Sequence, residues 1–305
     1  MEFHNKKYLY HFLAILTSTI WGTTFVSTKV LMTHGLSPYE IMFYRFMLAY
    51  VGLCFIQPRK IFSLSIGDEL KFVCAGLFGG SLYFASENTA LSITLTSNVA
   101  LIICTVPILT AIVSRIFNRN ERLKNNIVFG SMVAMVGVAL VVFNGRFILK
   151  ISPLGDILTL FAALMWAFYS LVLKDLSGRY SILFITRKVF FYGIVTLLPM
   201  FIIHPFHFDV KVISMPIVFI NLLFLGLIAS LLCYIMWNNT VRVLGAVRAT
   251  NYIYLTPIVT LITSYLAIDE VITYVALMGS VFILFGVYVA EKGFPFIRKP
   301  NTTTM

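Results

Sequence analysis

Apolar stretches of about 20 residues follow one another along almost the whole chain, separated only by short polar breaks. At about 1.5 Å rise per residue, such a helix crosses a hydrocarbon layer roughly 30 Å thick. The pattern predicts ten helices, over residues 9–31, 38–57, 70–91, 93–117, 125–143, 153–174, 181–203, 214–238, 244–267 and 273–290. The breaks carry turn and charge signals: THGLSP, QPRK, RIFNRNERLKNN, NGRFILKISP, HPFHFD and AIDE. Connections this short force consecutive helices to run antiparallel in a compact bundle.

Two of the runs are flawed in the same way. Residues 93–117 contain Pro107, and the run from Arg248 contains Pro257. A proline inside a helix removes a backbone donor and clashes with the preceding turn, so both helices are expected to kink there. Pro107 and Pro257 stand 150 residues apart, as do Gly76 and Gly226, and Ser114 and Ser264. The stretch from Trp21 to Lys29 is matched by Trp166 to Lys174 at an offset of 145, and Gly130 and Gly137 by Gly279 and Gly286 at 149. Five spans answer five, with the repeats at residues 1–147 and 148–305. Because five is odd, the copies enter the membrane from opposite sides. The expected fold is therefore an all-α membrane protein, ten transmembrane helices arranged as two inverted five-helix repeats. Interrupted helices at corresponding places of inverted repeats point to a secondary transporter with its site near the bilayer midplane.

Composition changes the picture only by naming the solvent. The chain is 59% hydrophobic and 11% charged, with a mean hydropathy of +0.92, whereas soluble domains run near 25% charged. The net charge of +11 is uneven. Fifteen of the 23 Lys and Arg fall on one side of the expected topology, and only Arg146, Lys150 and Lys211 on the other. Positive residues stay cytoplasmic, so both termini are expected there, and the basic excess reads as topology rather than a nucleic-acid footprint. The expected location is the cell (inner) membrane. Cys54, Cys74, Cys104 and Cys233 all sit in apolar runs with no metal-ligand spacing, and no cofactor motif or Walker sequence occurs. The first apolar run lacks an evident cleavage site and is expected to remain as the first span.

Ionisable groups at membrane depth are costly and mark candidate sites. Helical rise puts Lys29 and Glu87 within about 5 Å of the outer boundary and Arg45 about 10 Å below it. These three suggest an outer gate in which Glu87 meets Lys29 or Arg45, against readings as a snorkelling lysine and a permanent structural pair. The corresponding inner layer is Lys174, Arg187 and the group around Asn238. Glu87 is also the candidate for proton coupling. A polar stripe through Asn98 and Thr105 in the fourth span, matched by Arg248, Asn251 and Tyr252 in the ninth, is expected to line a cavity together with Trp21, Trp166 and Tyr234. The bland alternative is interhelical hydrogen bonding. Gly76 with Gly80, Gly130 with Gly137 and Gly279 with Gly286 read as close-packing faces, a homodimer surface being the other use. His204 and Asp209 have the HxxxxD spacing of some acyltransferases, but such a spacing arises readily by chance and no third ligand accompanies His204 and His207.

The segments IWGTTFVSTK at 20–29, PYEIMFYRF at 38–46, ENTALS followed by Pro107 and NRNERL, GDILTLFAALMWAFYSLVLK, and GAVRATNYIYLTPIVTLITSYLAIDE at 245–270 resemble, in this order, the drug/metabolite transporter superfamily and its EamA-type ten-helix members. The resemblance covers nearly the whole chain. It implies export of a metabolite or amino acid by alternating access; Glu87 departs from the small or uncharged residue usual at its position. Basic groups outnumber acidic ones within the spans, which favours a cargo carrying a carboxylate. A multidrug exporter of lipophilic cations is the nearest alternative cargo; a channel or receptor, and then a membrane acyltransferase, are the alternatives of other classes.

Overall fold

The structure, a computed structural model, describes residues 2–58, 62–94, 96–117, 125–143, 152–268 and 273–293. The side chains of Lys6, Asn98 and Ser264, and the loop cations Arg59, Lys60, Arg119, Arg122, Lys124, Arg146, Lys150, Arg298 and Lys299, lie outside the described residues.

Helix starts follow local capping chemistry. Helix α1 spans Glu2–Thr33 and α2 Pro38–Ile56. At the start of α2, the Ser37 hydroxyl accepts from the Glu40 amide and the Glu40 carboxylate accepts from the Ser37 amide, a reciprocal box that satisfies two orphan donors. Helix α3 (Ile66–Gly76) begins four residues earlier than the apolar pattern predicts because Ser65 accepts from the Asp68 amide at 3.1 Å. It continues through a π-helical turn, Leu77–Ser81, into α4 (Leu82–Ile93). Then come α5 (Thr96–Ile103), α6 (Val106–Phe117), α7 (Asn125–Phe143), α8 (Pro153–Ser177) and α9 (Ile182–Leu197). Two single turns, α10 (Met200–Ile203) and α11 (Val210–Ile213), precede α12 (Pro216–Leu223), which runs through a π-helical stretch, Phe224–Leu232, into α13 (Cys233–Leu244). The last elements are α14 (Ala246–Thr250), a 3-10 stretch at Asn251–Leu255, α15 (Thr256–Ile268) and α16 (Tyr274–Lys292).

No strand occurs among the described residues, and eight helical segments are long and apolar enough to cross a membrane: Lys7–Thr33, Pro38–Ile56, Val99–Phe117, Asn125–Phe143, Pro153–Ser177, Ile182–Ile203, Pro216–Leu244 and Tyr274–Lys292. The chain is an all-α, multi-pass membrane protein. Eight rather than ten of the expected spans meet that measure; residues 66–93, with their charged start, and 246–268, broken by the 3-10 stretch, are helical but do not. The exterior is apolar as a lipid-facing surface requires, with Met132 61% and Val281 65% exposed.

Irregular helix occurs at matching places in the two halves. The α-helix stops at Cys104–Thr105, just before Pro107, because Pro107 has no N–H to offer the Ile103 carbonyl; at the corresponding place before Pro257 the chain tightens into the 3-10 stretch. The two π-helical stretches hold the same correspondence, Leu77–Ser81 following Gly76 and Phe224–Leu232 containing Gly226. Such stretches free backbone carbonyls from the regular ladder and gather at functional sites.

Helices α7 and α16 pack backbone to backbone. A Cβ on Gly130 would lie 2.5 Å from the Gly286 carbonyl oxygen, and one on Gly137 would lie 2.6 Å from that of Gly279. Rising numbers on one helix meet falling numbers on the other, so the pair is antiparallel. These glycines are thus spent on a contact within the chain.

Candidate functional site

The breaks in the helices meet at one cavity. Its wall includes Ile103 and Val106 on either side of the first break, and Ile253 and Thr256 at the second. These are two pairs at the 150-residue offset. Trp21, Thr24 and Phe25 from α1, Arg45 from α2, Tyr83, Phe84 and Glu87 from α4, and Trp166 from α8 complete it. Water-sized space within it amounts to about 50 Å³, several times the ~10–15 Å³ one water needs.

The freed carbonyls of the π-helical stretches anchor the wall. Trp21 Nε1 donates to the Ala229 carbonyl at 2.9 Å, and Tyr234 Oη donates to the Gly79 carbonyl at 2.6 Å. Trp21 stands edge-on to Trp166 with ring centroids 5.2 Å apart, and Tyr234 supports both rings from behind. Tyr234 is fully buried and belongs to this supporting layer rather than to the wall itself. Tyr234→Phe is expected to cost about 1 kcal/mol of stability, the net worth of one such bond, read as a lower thermal midpoint in detergent.

Two opposite charges face this cavity. Arg45 is 2% exposed; its Nε donates to Ser230 Oγ at 2.9 Å and its guanidinium lies 4.3 Å over the Phe84 ring. Glu87 is 6% exposed, and its Oε1 accepts from Tyr83 Oη at 2.7 Å. No ion pair joins them; the ion pairs among the described residues are Lys71–Asp175, Arg179–Asp68, Arg179–Asp175 and Lys188–Glu69. Lys29 Nζ sits 3.5 Å from the Leu91 carbonyl oxygen, so the meeting of Glu87 with Lys29 or Arg45 expected from depth alone is not present.

Among these geometric findings, one comparison decides the family. The sequence matches the EamA-like transporter family over residues 8–143 and again over 153–291. The chain belongs to that family. Similar proteins include an uncharacterized transporter of Archaeoglobus fulgidus, 25% identical over 91% of this chain and 96% of its own length, and a probable amino-acid metabolite efflux pump of Escherichia coli K12, 25% identical over 92% and 94%. YyaM of Bacillus subtilis, an uncharacterized transporter, is 29% identical over 97% and 98%. A crystal structure that covers 94% of the chain and 96% of its own aligns at a TM-score of 0.71 and 18% identity, a likeness of fold. As an EamA-like protein the chain is a membrane transporter for a small molecule.

Other residues singled out by sequence lie away from the cavity of this EamA-like chain. Thr105 turns its hydroxyl back onto the Ile102 carbonyl at 2.7 Å. Tyr252 Oη is 2.5 Å from His11 Nδ1, and Arg248 and Glu291 lie within electrostatic reach of the Tyr252 hydroxyl. Asn251 is fully buried in the same region with neither amide atom hydrogen-bonded. The cavity wall is formed at these breaks by Ile103, Val106, Ile253 and Thr256, one residue on from the predicted polar stripe on both sides of each break. Asn238 is fully buried, accepting from Tyr169 Oη at 2.7 Å and donating to Thr186 Oγ1 at 2.9 Å, which spends both ends of its amide between helices. His204 stacks on Tyr39 with centroids 4.7 Å apart, while Asp209 caps α11, so the two do not form an acid–base pair. Among the described residues no three His, Cys, Asp or Glu side chains group as a metal site.

At the end of the bundle where α3 and α9 start and α8 finishes, a network missed by sequence ties elements of the two halves together. Asp68 pairs with Arg179 and accepts from Tyr180 Oη at 2.7 Å; Lys71 pairs with Asp175 at 2.6 Å; Glu69 pairs with Lys188 at 2.5 Å and accepts from Tyr192. Arg187 donates to the Gln57 carbonyl at 2.5 Å, and Lys174 is exposed nearby on α8. The hydrogen bond from Tyr180, helped by Arg179 against the opposing pull of burial, holds the Asp68 carboxyl below its usual range. For Glu69, burial pushes upward, but the hydrogen bonds from Lys188 and Tyr192 with the Lys188 charge outweigh it and hold the carboxyl at about 2.

Proposed function

We propose that the chain is a secondary-active transporter exporting amino acids or similar small polar metabolites by alternating access. In this reading ten spans form two inverted five-helix repeats, residues 1–147 and 148–305, in the cell (inner) membrane with both termini cytoplasmic. One observation carries it: the cavity lies where the matched helix breaks converge, with Ile103 and Val106 opposed by Ile253 and Thr256 at the repeat offset. Broken helices at a repeat interface are the architecture from which alternating access is built. The likeness to the Escherichia coli protein, a probable amino-acid metabolite efflux pump, favours amino-acid cargo. The ion-pair network of α3, α8 and α9 is then the closed cytoplasmic side, and Arg187 belongs to that layer.

Glu87 is the group through which protons couple to cargo. It is a buried carboxylate on the cavity wall with one oxygen held by Tyr83. In proteoliposomes preloaded with single unlabelled amino acids, a pooled labelled mixture outside should accumulate transiently when the interior solute is cargo. An imposed proton gradient should drive wild-type export, and Glu87→Gln should lose that response. A gradient response equal in wild type and variant removes the coupling role; absence of counterflow for every amino acid, with the protein folded and inserted, removes amino acids as cargo.

A further inference from the structure

Arg45 and Glu87 share one cavity yet do not touch, and each is only partly satisfied by protein. Arg45 spends Nε on Ser230 and one face on Phe84, leaving its two Nη groups without a hydrogen-bond partner among the described residues. Glu87 spends Oε1 on Tyr83 and leaves Oε2 without one. Trp21 and Trp166 are counterparts in the two halves, but their donors differ in use. The Trp21 indole N–H is taken by Ala229, whereas that of Trp166, 4% exposed on the same wall, has no partner. Most of the remaining wall is apolar, from Phe25, Ile103, Val106 and Ile253.

A buried charge with no counter-ion in hydrogen-bond contact is expensive, and here both members of the pair stand apart across the cavity. A neutral ligand would displace water and leave each charge without a hydrogen-bonded counter-ion. A ligand with a single charge would compensate one and strand the other. A ligand carrying both signs a few ångströms apart compensates both at once.

We infer that Arg45 and Glu87 are the two poles of a zwitterion-recognition site. The Arg45 Nη groups, with the Trp166 indole N–H as a further donor, receive a carboxylate, and the free oxygen of Glu87 receives an ammonium group. The apolar and aromatic wall takes an uncharged side chain. This rests on the transporter reading above and narrows its cargo to free α-amino acids with neutral, apolar side chains. The phenyl face under Arg45 holds the guanidinium plane, so its edge stays available for the two-pronged geometry that arginine offers a carboxylate.

The test is counterflow of radiolabelled phenylalanine and leucine into liposomes containing the full-length protein. The interior is loaded in turn with phenylalanine, with phenylalanine amide, which lacks the carboxylate, or with 3-phenylpropionate, which lacks the ammonium. Wild type should respond to phenylalanine at about tenfold to hundredfold lower interior concentration than to either analogue, the worth of one lost charge-assisted hydrogen bond. Arg45→Gln should close the gap between phenylalanine and its amide and leave the other gap open. Glu87→Gln should do the reverse. Ratios measured within one preparation do not depend on how much protein folded, and the wild-type series stands if either variant fails to fold. The inference is overturned if wild type accepts either single-charge analogue as well as phenylalanine, or if folded, active variants keep both ratios. If another class of solute drives counterflow and no amino acid does, the zwitterion site falls while the transporter reading stands. If no solute does, both fall.

Discussion

Gly137→Leu is expected to yield no folded protein, and Gly137→Ala to lower stability by about 1–3 kcal/mol, the usual cost of overpacking a tight contact. The reason lies in what the new Cβ meets. At Gly137 it lands 2.6 Å from both the Gly279 carbonyl oxygen and the Ile283 amide nitrogen, which are backbone atoms of α16. No rotamer change relieves such a clash; the helices must separate along the whole α7–α16 seam. Gly286→Ala meets the Ala134 amide nitrogen at 2.5 Å and the Gly130 carbonyl at 2.6 Å and should behave the same way. Gly178→Ala is the control, since its Cβ would find its nearest neighbour at 3.7 Å. Thermal midpoints and size-exclusion profiles in one detergent compare the three. A Gly137→Ala protein as stable as Gly178→Ala would mean that the two helices do not pack at this distance.

This seam also marks how far the sequence could be read. The seven-residue glycine spacing and its recurrence 149 residues later identify a close-packing face, but nothing in the spacing says that the partner is the other copy of itself. Arg45, Glu87, Trp21 and Trp166, which line one cavity, stood out in the sequence because charge and large aromatics in apolar runs have few structural excuses. Tyr83 and Phe84, which hold Glu87 and Arg45 in place, were not, because an aromatic in an apolar run looks like core. The polar stripe was placed one residue off for a different reason: polarity was used to choose the face, whereas the wall at the breaks is mostly apolar, from Ile103, Val106 and Ile253. The partners of Asp68, Glu69, Arg179 and Lys188 were invisible for yet another. Counted as helix-end charges they report topology; that they meet each other depends on which helices become neighbours, which no local pattern encodes.

On the alternating-access reading, that last network must part when the protein opens to its cytoplasmic side, so Glu69→Gln should favour the open form. Among its pairs, Glu69–Lys188 is the best shielded, with side-chain exposures of 26% and 9%; the more exposed Lys71–Asp175 pair is worth little by comparison. Losing a charge-assisted hydrogen bond here weakens the closed form by about 1.5–3 kcal/mol, which shifts a two-state balance roughly tenfold to hundredfold. Spin labels on Phe62→Cys and Ser177→Cys, in a background with Cys54, Cys74, Cys104 and Cys233 replaced by alanine, report the separation across the network. The variant should populate a longer distance that wild type hardly visits. The pH dependence has a definite sign. The Glu69 carboxyl is depressed to about 2 from 4.5, so its contribution is complete above the unfolded value and is lost only as pH falls from 4.5 through 2. Between pH 5 and 8 the wild-type distance should therefore stay constant, and any change of transport rate over that window belongs to another group. An unchanged distance in Glu69→Gln, or a wild-type distance that moves between pH 5 and 8, would show that this network does not hold the cytoplasmic side shut.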